Sequence, residues 1–437
     1  MIQRVLIPFL FLLSTLPGLS QNNIYEVLGV PKDSVKDGYY QVKYSTGELM
    51  MRGKMIDKLQ QGVWKSFYKN GEIKSFSNYE NGLKEGVSRK FDRFGITINQ
   101  ATYSQGKLNG TYQEYYDNGS LALKGKYENG LKEDKWIEYF PDGSINFRKF
   151  YKRGQAHGEW TYYFSFGRVR AIENYENGVE SGSWKIYHEN GRIKKIFKFS
   201  SGLLEGAYLE YHINSNKSVE GQYKLGLKTG AWTSYYDNGQ VFSTGLYKTD
   251  LKVDEWKYYF LSGAIESEGL FINGLKSGQW IYYHEKGGLK MIGSFVSDEK
   301  DGLWGLFYRN EQLKQEQQWS FGSIRNVTPF YSIQGEEWDA GTLENGNGTL
   351  IQYFENGTIS SFASYKNGLA EGTARFHYPN GNLMETGSLK EGIRDGLWKE
   401  YHTNGNISSQ GQYSNGVKSG NWSIHDENGR KINSHSF

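Results

Sequence analysis

Four kinds of side chain recur in this sequence at spacings that could serve chemistry. His188, His212, His284 and His402 hold one repeated position, and His377 and His425 stand one residue earlier in theirs. Zinc needs three or four convergent ligands, and these residues come one to a segment, so they are expected to replace a Tyr or Phe and to hold no metal. Glu85, Glu205 and Glu371 each precede a Gly. Paired carboxylates can do acid–base work, but no pair here stands apart from its context, and solvated turn acids are expected. Lys228, Lys252, Lys276 and Lys300 share one connector position, as do Lys84, Lys132 and Lys418. In a sheet they would line one edge about 10 Å apart. Such a basic edge either keeps sheets from joining or meets an anionic lipid or glycan surface. Tyr163, Tyr187, Tyr211, Tyr235, Tyr259 and Tyr283 form the fourth row. A tyrosine ladder can stack on sugars, dock a protein, or simply bury area for a thin sheet; it is the candidate interaction surface. The chain has no Cys, which removes disulfides, thiolate metal sites and a Cys nucleophile. No Gly-rich loop opens a helix as a phosphate site would. The residues point to no catalytic group, cofactor or metal.

The elements that carry these rows repeat every 24 residues. Trp64, Trp136, Trp160, Trp184, Trp232, Trp256, Trp280, Trp304, Trp398 and Trp422 all fall in one slot, with a two-residue slip between Trp304 and Trp398. They are ten of 12 Trp residues, so chance is set aside and a repeat array is read before anything else. Gly stands two residues before the slot, replaced by Asp134 and Asp254 in two repeats. Aromatics follow three and four residues after it, then Asn-Gly, as at Asn70-Gly71 and Asn238-Gly239. Asn-Gly between aromatic and β-branched runs predicts a type I′ hairpin turn. A second Asn-Gly, as at Asn81-Gly82 and Asn273-Gly274, joins one hairpin to the next. Two-residue loops set Trp64 opposite Ser77, Trp232 opposite Gly245, Trp256 opposite Gly269 and Trp280 opposite Gly293. Each indole is expected to cover the Gly it faces. The fold class is therefore all-β: an elongated single-layer antiparallel β-hairpin array of about 16 repeats, twisted or curved.

Lys plus Arg is 51 and Asp plus Glu 48, which leaves no electrostatic footprint for nucleic acid. Residues 1–20 read as a signal peptide: Arg4, an apolar run from Val5 to Leu16, then Gly18-Leu19-Ser20 before Gln21. No other stretch is apolar enough to span a bilayer, so no transmembrane span is expected after cleavage. The product is expected in the periplasm, at the outer membrane or outside the cell. Residues 21–36 read as an irregular lead-in without a helix. Residues 37–60 read as a degenerate capping repeat, with Met50, Met51 and Met55 over the open edge. Regular repeats occupy 61–310 and 349–430, and 431–437 is a polar tail. Residues 311–348 break the pattern with Trp319, Trp338 and Pro329; they read as a decayed repeat, a bend or a partner site.

The unit YENGLKEDKWIEYFPDG, with NGLKSGQWIYYHEKG and NGVESGSWKIYHENG, resembles the MORN repeat, and more closely its bacterial variant. The resemblance covers 37–430; it fails at Arg93, Phe94 and Gly95, at Ser215, and across 326–335. It implies hairpins and a scaffold for protein association. Bacterial variants are often labelled antitoxin-like, which the leader argues against. Gram-positive cell-wall-binding repeats are similar more loosely, because there the Trp abuts the Tyr pair. The expected function is a non-enzymatic exported scaffold for a protein partner. Binding of glycan or the cell envelope through the tyrosine ladder is the alternative, with an anionic envelope surface as the partner of the basic edge, and neutralising a toxin is the third.

Overall fold

The computed structural model describes residues 21–437; the signal peptide expected at 1–20 lies outside the described residues. Strands make up 66% and helix 2%, in antiparallel sheets of 28 and eight strands and a two-stranded ribbon, with no closure into a barrel. The described residues divide into two compact units that part between Leu204 and Glu205. Among the described residues no helix is long and apolar enough to cross a membrane.

The first unit departs from the expected lead-in at once. Gln21–Leu28 is an α-helix and Lys32–Ser34 a short 3-10 turn. Ile24 and Leu28 lie one helical turn apart with Tyr25 beside them, which gives even this short helix an apolar face. Ile24, Tyr25 and Val35 bury with Met55 against Trp64 and Tyr79, and the Tyr25 hydroxyl donates to the Lys58 carbonyl at 2.7 Å. One face of the first strands is thus covered by a helix, with Met55 beneath it. From Gly38–Lys43 to Leu203–Leu204 the strands follow in chain order, each antiparallel to its neighbour.

In the second unit the same meander runs from Gly206–Tyr211 to Ser323–Val327. There the long sheet stops. Phe330–Tyr331 pairs only with Glu337–Trp338, and a second sheet of eight strands begins at Gly348–Tyr353 and ends at Lys431–Ser436. Trp319 keeps the period after all. It holds the strand-closing position of Tyr247, Phe271 and Phe295, with the Lys300 ammonium 4.7 Å from its ring.

The two turns differ from each other, which the sequence reading did not anticipate. At Asn81-Gly82 both residues have positive φ (52° and 79°), and Glu80 pairs Leu83, as a type I′ turn requires. At the first turn only Gly71 is left-handed (φ 86°). Gly71 N–H donates to Tyr68 O at 2.9 Å and Tyr68 N–H to Glu72 O at 2.8 Å. This is a type I turn closed by a Gly bulge, favoured because the Asn70 side chain accepts from Glu72 N–H at 3.1 Å. The register slips between Ser66 and Phe67 and then recovers, so Trp64 still faces Ser77.

Candidate functional site

The residue two before each Trp sets the ring's direction. Gly62, Gly230 and Gly278 have φ of 68°, 66° and 62°, and Asp254, at the same position, has 57°. Asp tolerates this region better than most residues, which explains why it alone substitutes. The left-handed residue forms a bulge against the preceding strand, and the pairing skips there, as between Thr244 and Leu246. The indole therefore swings over the preceding hairpin.

That corrects the expected stacking. Trp256 does face Gly269 across its own hairpin, yet its ring lies on Gly245, where a Cβ would sit 2.2 Å from the indole. Trp64 lies likewise on Gly53, Trp280 on Gly269, Trp304 on Gly293 and Trp422 on Gly411. The Trp256 Nε1–H donates to the Leu246 carbonyl at 3.1 Å, ten residues upstream, and Trp160, Trp184 and Trp398 repeat the bond. Trp136 and Trp232 lie over Gly125 and Gly221 in the same way, although their Nε1 has no partner. Taking roughly 200 Å² of indole out of water is worth on the order of 5 kcal/mol before ordering costs. Of the ten tryptophans only Trp184 is less than buried.

The lysine row is not a solvated edge. Lys228, Lys252, Lys276 and Lys300 are half-buried, their ammonium groups 4.4, 4.2, 4.1 and 4.3 Å from the centres of Trp232, Trp256, Trp280 and Trp304. Each also lies near the next closing aromatic, as Lys252 does to Phe271 at 5.1 Å. The alkyl stem covers apolar surface while the charge meets the π face. Lys252 Nζ donates to the Tyr258 hydroxyl at 2.7 Å and Lys276 Nζ to Tyr282 at 3.0 Å. Burial pulls the Lys252 ammonium below the usual lysine range, helped by Lys276 and Lys228, and burial pushes the Tyr258 phenol up to about 12. In the first unit Lys132 sits over Trp136 at 4.3 Å, and Lys149 is ringed by Phe147, Trp160 and Tyr162 at 4.0, 4.7 and 5.0 Å. Burial also raises the carboxyls of Glu138 and Glu173 beside it.

His212, His284 and His402 and the connector acids tie one repeat to the next, whereas Nδ1 of His377 and of His425 is buried without a partner. Tyr68, Tyr116, Tyr236 and Tyr378 hydroxyls donate to a carbonyl 23 residues on, at 2.6 to 2.8 Å. His212 and His284 Nε2 make the same contact at 3.0 and 3.1 Å. His replaces Tyr here because both place a donor at the tip of a flat ring. Glu85, Glu205 and Glu371 accept from a backbone N–H 20 residues on, at 2.8 to 2.9 Å, and so hold the next type I′ turn.

The tyrosine ladder is half-buried throughout. The Tyr163 hydroxyl accepts from Arg148 at 2.9 Å, Tyr283 donates to Glu268 at 2.8 Å and Tyr235 to Glu220. The more exposed row is one the sequence reading passed over. The residue after most type I′ turns is aliphatic, and Leu83 and Leu131 in the first unit and Leu227, Leu251 and Leu275 in the second are 40 to 50% exposed, while Lys107, Gln155, Glu299 and Ser323 stand there after other turns. Leu251 shields the next turn, at 3.3 Å from where a Cβ on Gly274 would be. Its signal was in the sequence: the residue after the second Asn-Gly is Leu or Val repeat after repeat.

The model of the MORN repeat variant matches residues 60–81, 108–129, 156–177, 228–249, 370–391 and 394–415. No curated protein matches. Among solved structures, a GtfA/B complex bound to UDP and GlcNAc is 23% identical over 26% of this chain and 22% of that one, with a TM-score of 0.12. A TcdB2-TccC3-Cdc42 structure is 10% identical over 92% and 26%, at 0.14. A Tc holotoxin pore of Photorhabdus luminescens is 11% identical over 92% and 24%, at 0.13. The chain spans about a quarter of the length of these structures or less, and scores this low carry no argument about what it does.

Proposed function

We propose that this chain, a carrier of MORN variant repeats, is a non-enzymatic exported scaffold that holds a protein partner along the edge of its type I′ turns. The observation that carries this reading is the aliphatic row Leu227, Leu251 and Leu275, with its counterparts Leu83 and Leu131. It recurs at one position of the fold in three successive repeats of the second unit, from Leu227 to Leu275. Contiguous exposed apolar surface rimmed by polar groups is the mark of a protein contact. Its rim carries Lys224, Lys248 and Asn273, all exposed. Sugar stacking calls for open rings with free polar groups beside them, and the ladder hydroxyls of Tyr163, Tyr235 and Tyr283 are already engaged. Export rests on the leader pattern at 1–20.

The test is retention of envelope proteins and of envelope polysaccharide on the immobilised full chain. A specific protein should be retained, and lost on a combined Leu227→Ser, Leu251→Ser, Leu275→Ser change. Retention of polysaccharide alone, unaltered by that change, overturns the reading in favour of a glycan module.

A further inference from the structure

In the second unit one hairpin is splayed. Its turn is intact: Ser332 N–H donates to Glu336 O at 2.8 Å and Gly335 N–H to Ser332 O at 2.9 Å. Next to the turn Tyr331 pairs Glu337 and Phe330 pairs Trp338, and there the ladder ends. Elsewhere it runs the length of the hairpin, as from Phe307↔Leu313 to Gly302↔Trp319. Beyond Phe330 and Trp338 each arm is held from outside. Thr328 N–H donates to Glu316 O at 3.0 Å on the preceding strand. Thr342 N–H donates to Thr349 O at 2.9 Å, and Ala340 O accepts from Ile351 N–H at 2.9 Å, on the following strand. Gly341 is pressed so closely to that strand that a Cβ would lie 2.3 Å from Thr349 O. Pro329 has no N–H with which to close the gap.

Between the arms lies a cleft of about 390 Å³. Val327, Pro329, Trp338, Ala340 and Leu343 supply its apolar wall, Glu337 and Asp339 its charges, and no Lys or Arg lines it. The floor does not give way: Phe330 stacks on Trp338 at 2° and 6.1 Å, and Tyr353 packs on both at 5.1 and 5.0 Å. Strand peptide groups alternate in direction. The outward bonds of Thr328 therefore turn the N–H and C=O of Val327 toward the cleft.

We infer that this cleft is a docking site for one extended, basic-and-apolar segment of the partner protein, which adds as a strand between the splayed arms. Val327 supplies main-chain hydrogen bonds, the Trp338–Leu343 wall takes the apolar side chains, and Glu337 and Asp339 pair with the basic ones. Main-chain pairing with alternate side-chain pockets is how strand addition combines affinity and selectivity. The inference rests on the scaffold reading, and it places the selective contact in the cleft and the broad one on the leucine row.

The test uses the full chain and two blocked nonapeptides, one alternating Lys with Val and one alternating Glu with Val, with peptide anisotropy and the share of tryptophan fluorescence that Trp338→Phe removes as readouts, since the chain has 12 Trp. The Lys peptide should bind and perturb Trp338, the Glu peptide should not, and Glu337→Lys should weaken the Lys peptide by at least about tenfold, the scale of one charge-assisted contact. No binding of the Lys peptide, or equal binding by Glu337→Lys, overturns the inference. Glu337 is exposed, so this change leaves the fold intact; unchanged hydrogen exchange at Phe330 and Tyr353 checks that. If the partner is retained by Glu337→Lys and lost by the leucine triple change, the scaffold reading stands and the cleft proposal falls. If neither variant affects retention, both fall.

Discussion

Trp256 pairs with Gly269 but rests on Gly245. The pairing belongs to its own hairpin and the packing to the one before, so each indole joins two repeats. A side chain at Gly245 would meet the ring at 2.2 Å. Gly245→Val should cost about 1–3 kcal/mol through overpacking. It should also speed hydrogen exchange at the Trp256 indole N–H, which donates to the Leu246 carbonyl. Unaltered exchange there would contradict the stacking.

Asp254 and Gly278 offer opposite outcomes at one conformation, with φ of 57° and 62°. Asp254→Gly should stabilise by up to about 1 kcal/mol, and Gly278→Ala should destabilise by about 1–2 kcal/mol, because a Cβ is penalised in the left-handed region. Urea denaturation of the two variants beside the parent measures both signs.

The bond from His212 to the Tyr235 carbonyl makes ring donors interchangeable and plain rings inferior. His212→Tyr should keep stability within about 0.5 kcal/mol, while His212→Phe should lose about 1 kcal/mol, the net worth of one hydrogen bond. Equal stability of the two variants would show that the position asks only for a flat ring.

Alkali should unfold the array through its phenols. Burial raises Tyr235 and Tyr258 to about 12, and Tyr112, Tyr162, Tyr175 and Tyr208 are raised by burial and by nearby carboxylates or phenols. For an acid whose folded-state pKa lies above its unfolded value, the stability it confers is fully present below the unfolded value, near 10, and is lost as pH rises through the folded one. Stability should therefore fall steeply between pH 10 and about 12, with the tyrosinate absorbance appearing in step with unfolding. Titration of all phenols at pH 10 in the folded state would refute it.

The period, the strands, the register and the repeat family were legible because turn residues and slot residues are chemically distinctive. Trp64 faces Ser77 as the spacing required. The stacking partner was not legible, because it depends on a bulge at Gly62 or Asp254 that rotates the ring toward the neighbouring strand. The lysine row was misplaced for the same reason: Lys252 lies beside the indole that the bulge turns. Helix Gln21–Leu28 was missed because eight residues carry too little periodicity to stand out, and its stability comes from Met55 and Trp64 beneath it. The splay at Val327–Leu343 was located as an irregularity, but its opening depends on outward bonds at Thr328 and Thr342 that spacing does not encode.

The tryptophan staple has a mechanical consequence. A meander pulled from its ends peels one strand after another, each loaded as a zipper whose bonds break singly. Here the strand that bears Trp280 cannot leave without dragging its indole off Gly269 and breaking the bond to Leu270. The unit that yields is then a whole repeat, not a strand. Each release should lengthen the tether by about 80 Å, the contour of 24 residues at roughly 3.3–3.6 Å each, so the array behaves as a ladder of equal catches that give way one at a time under load.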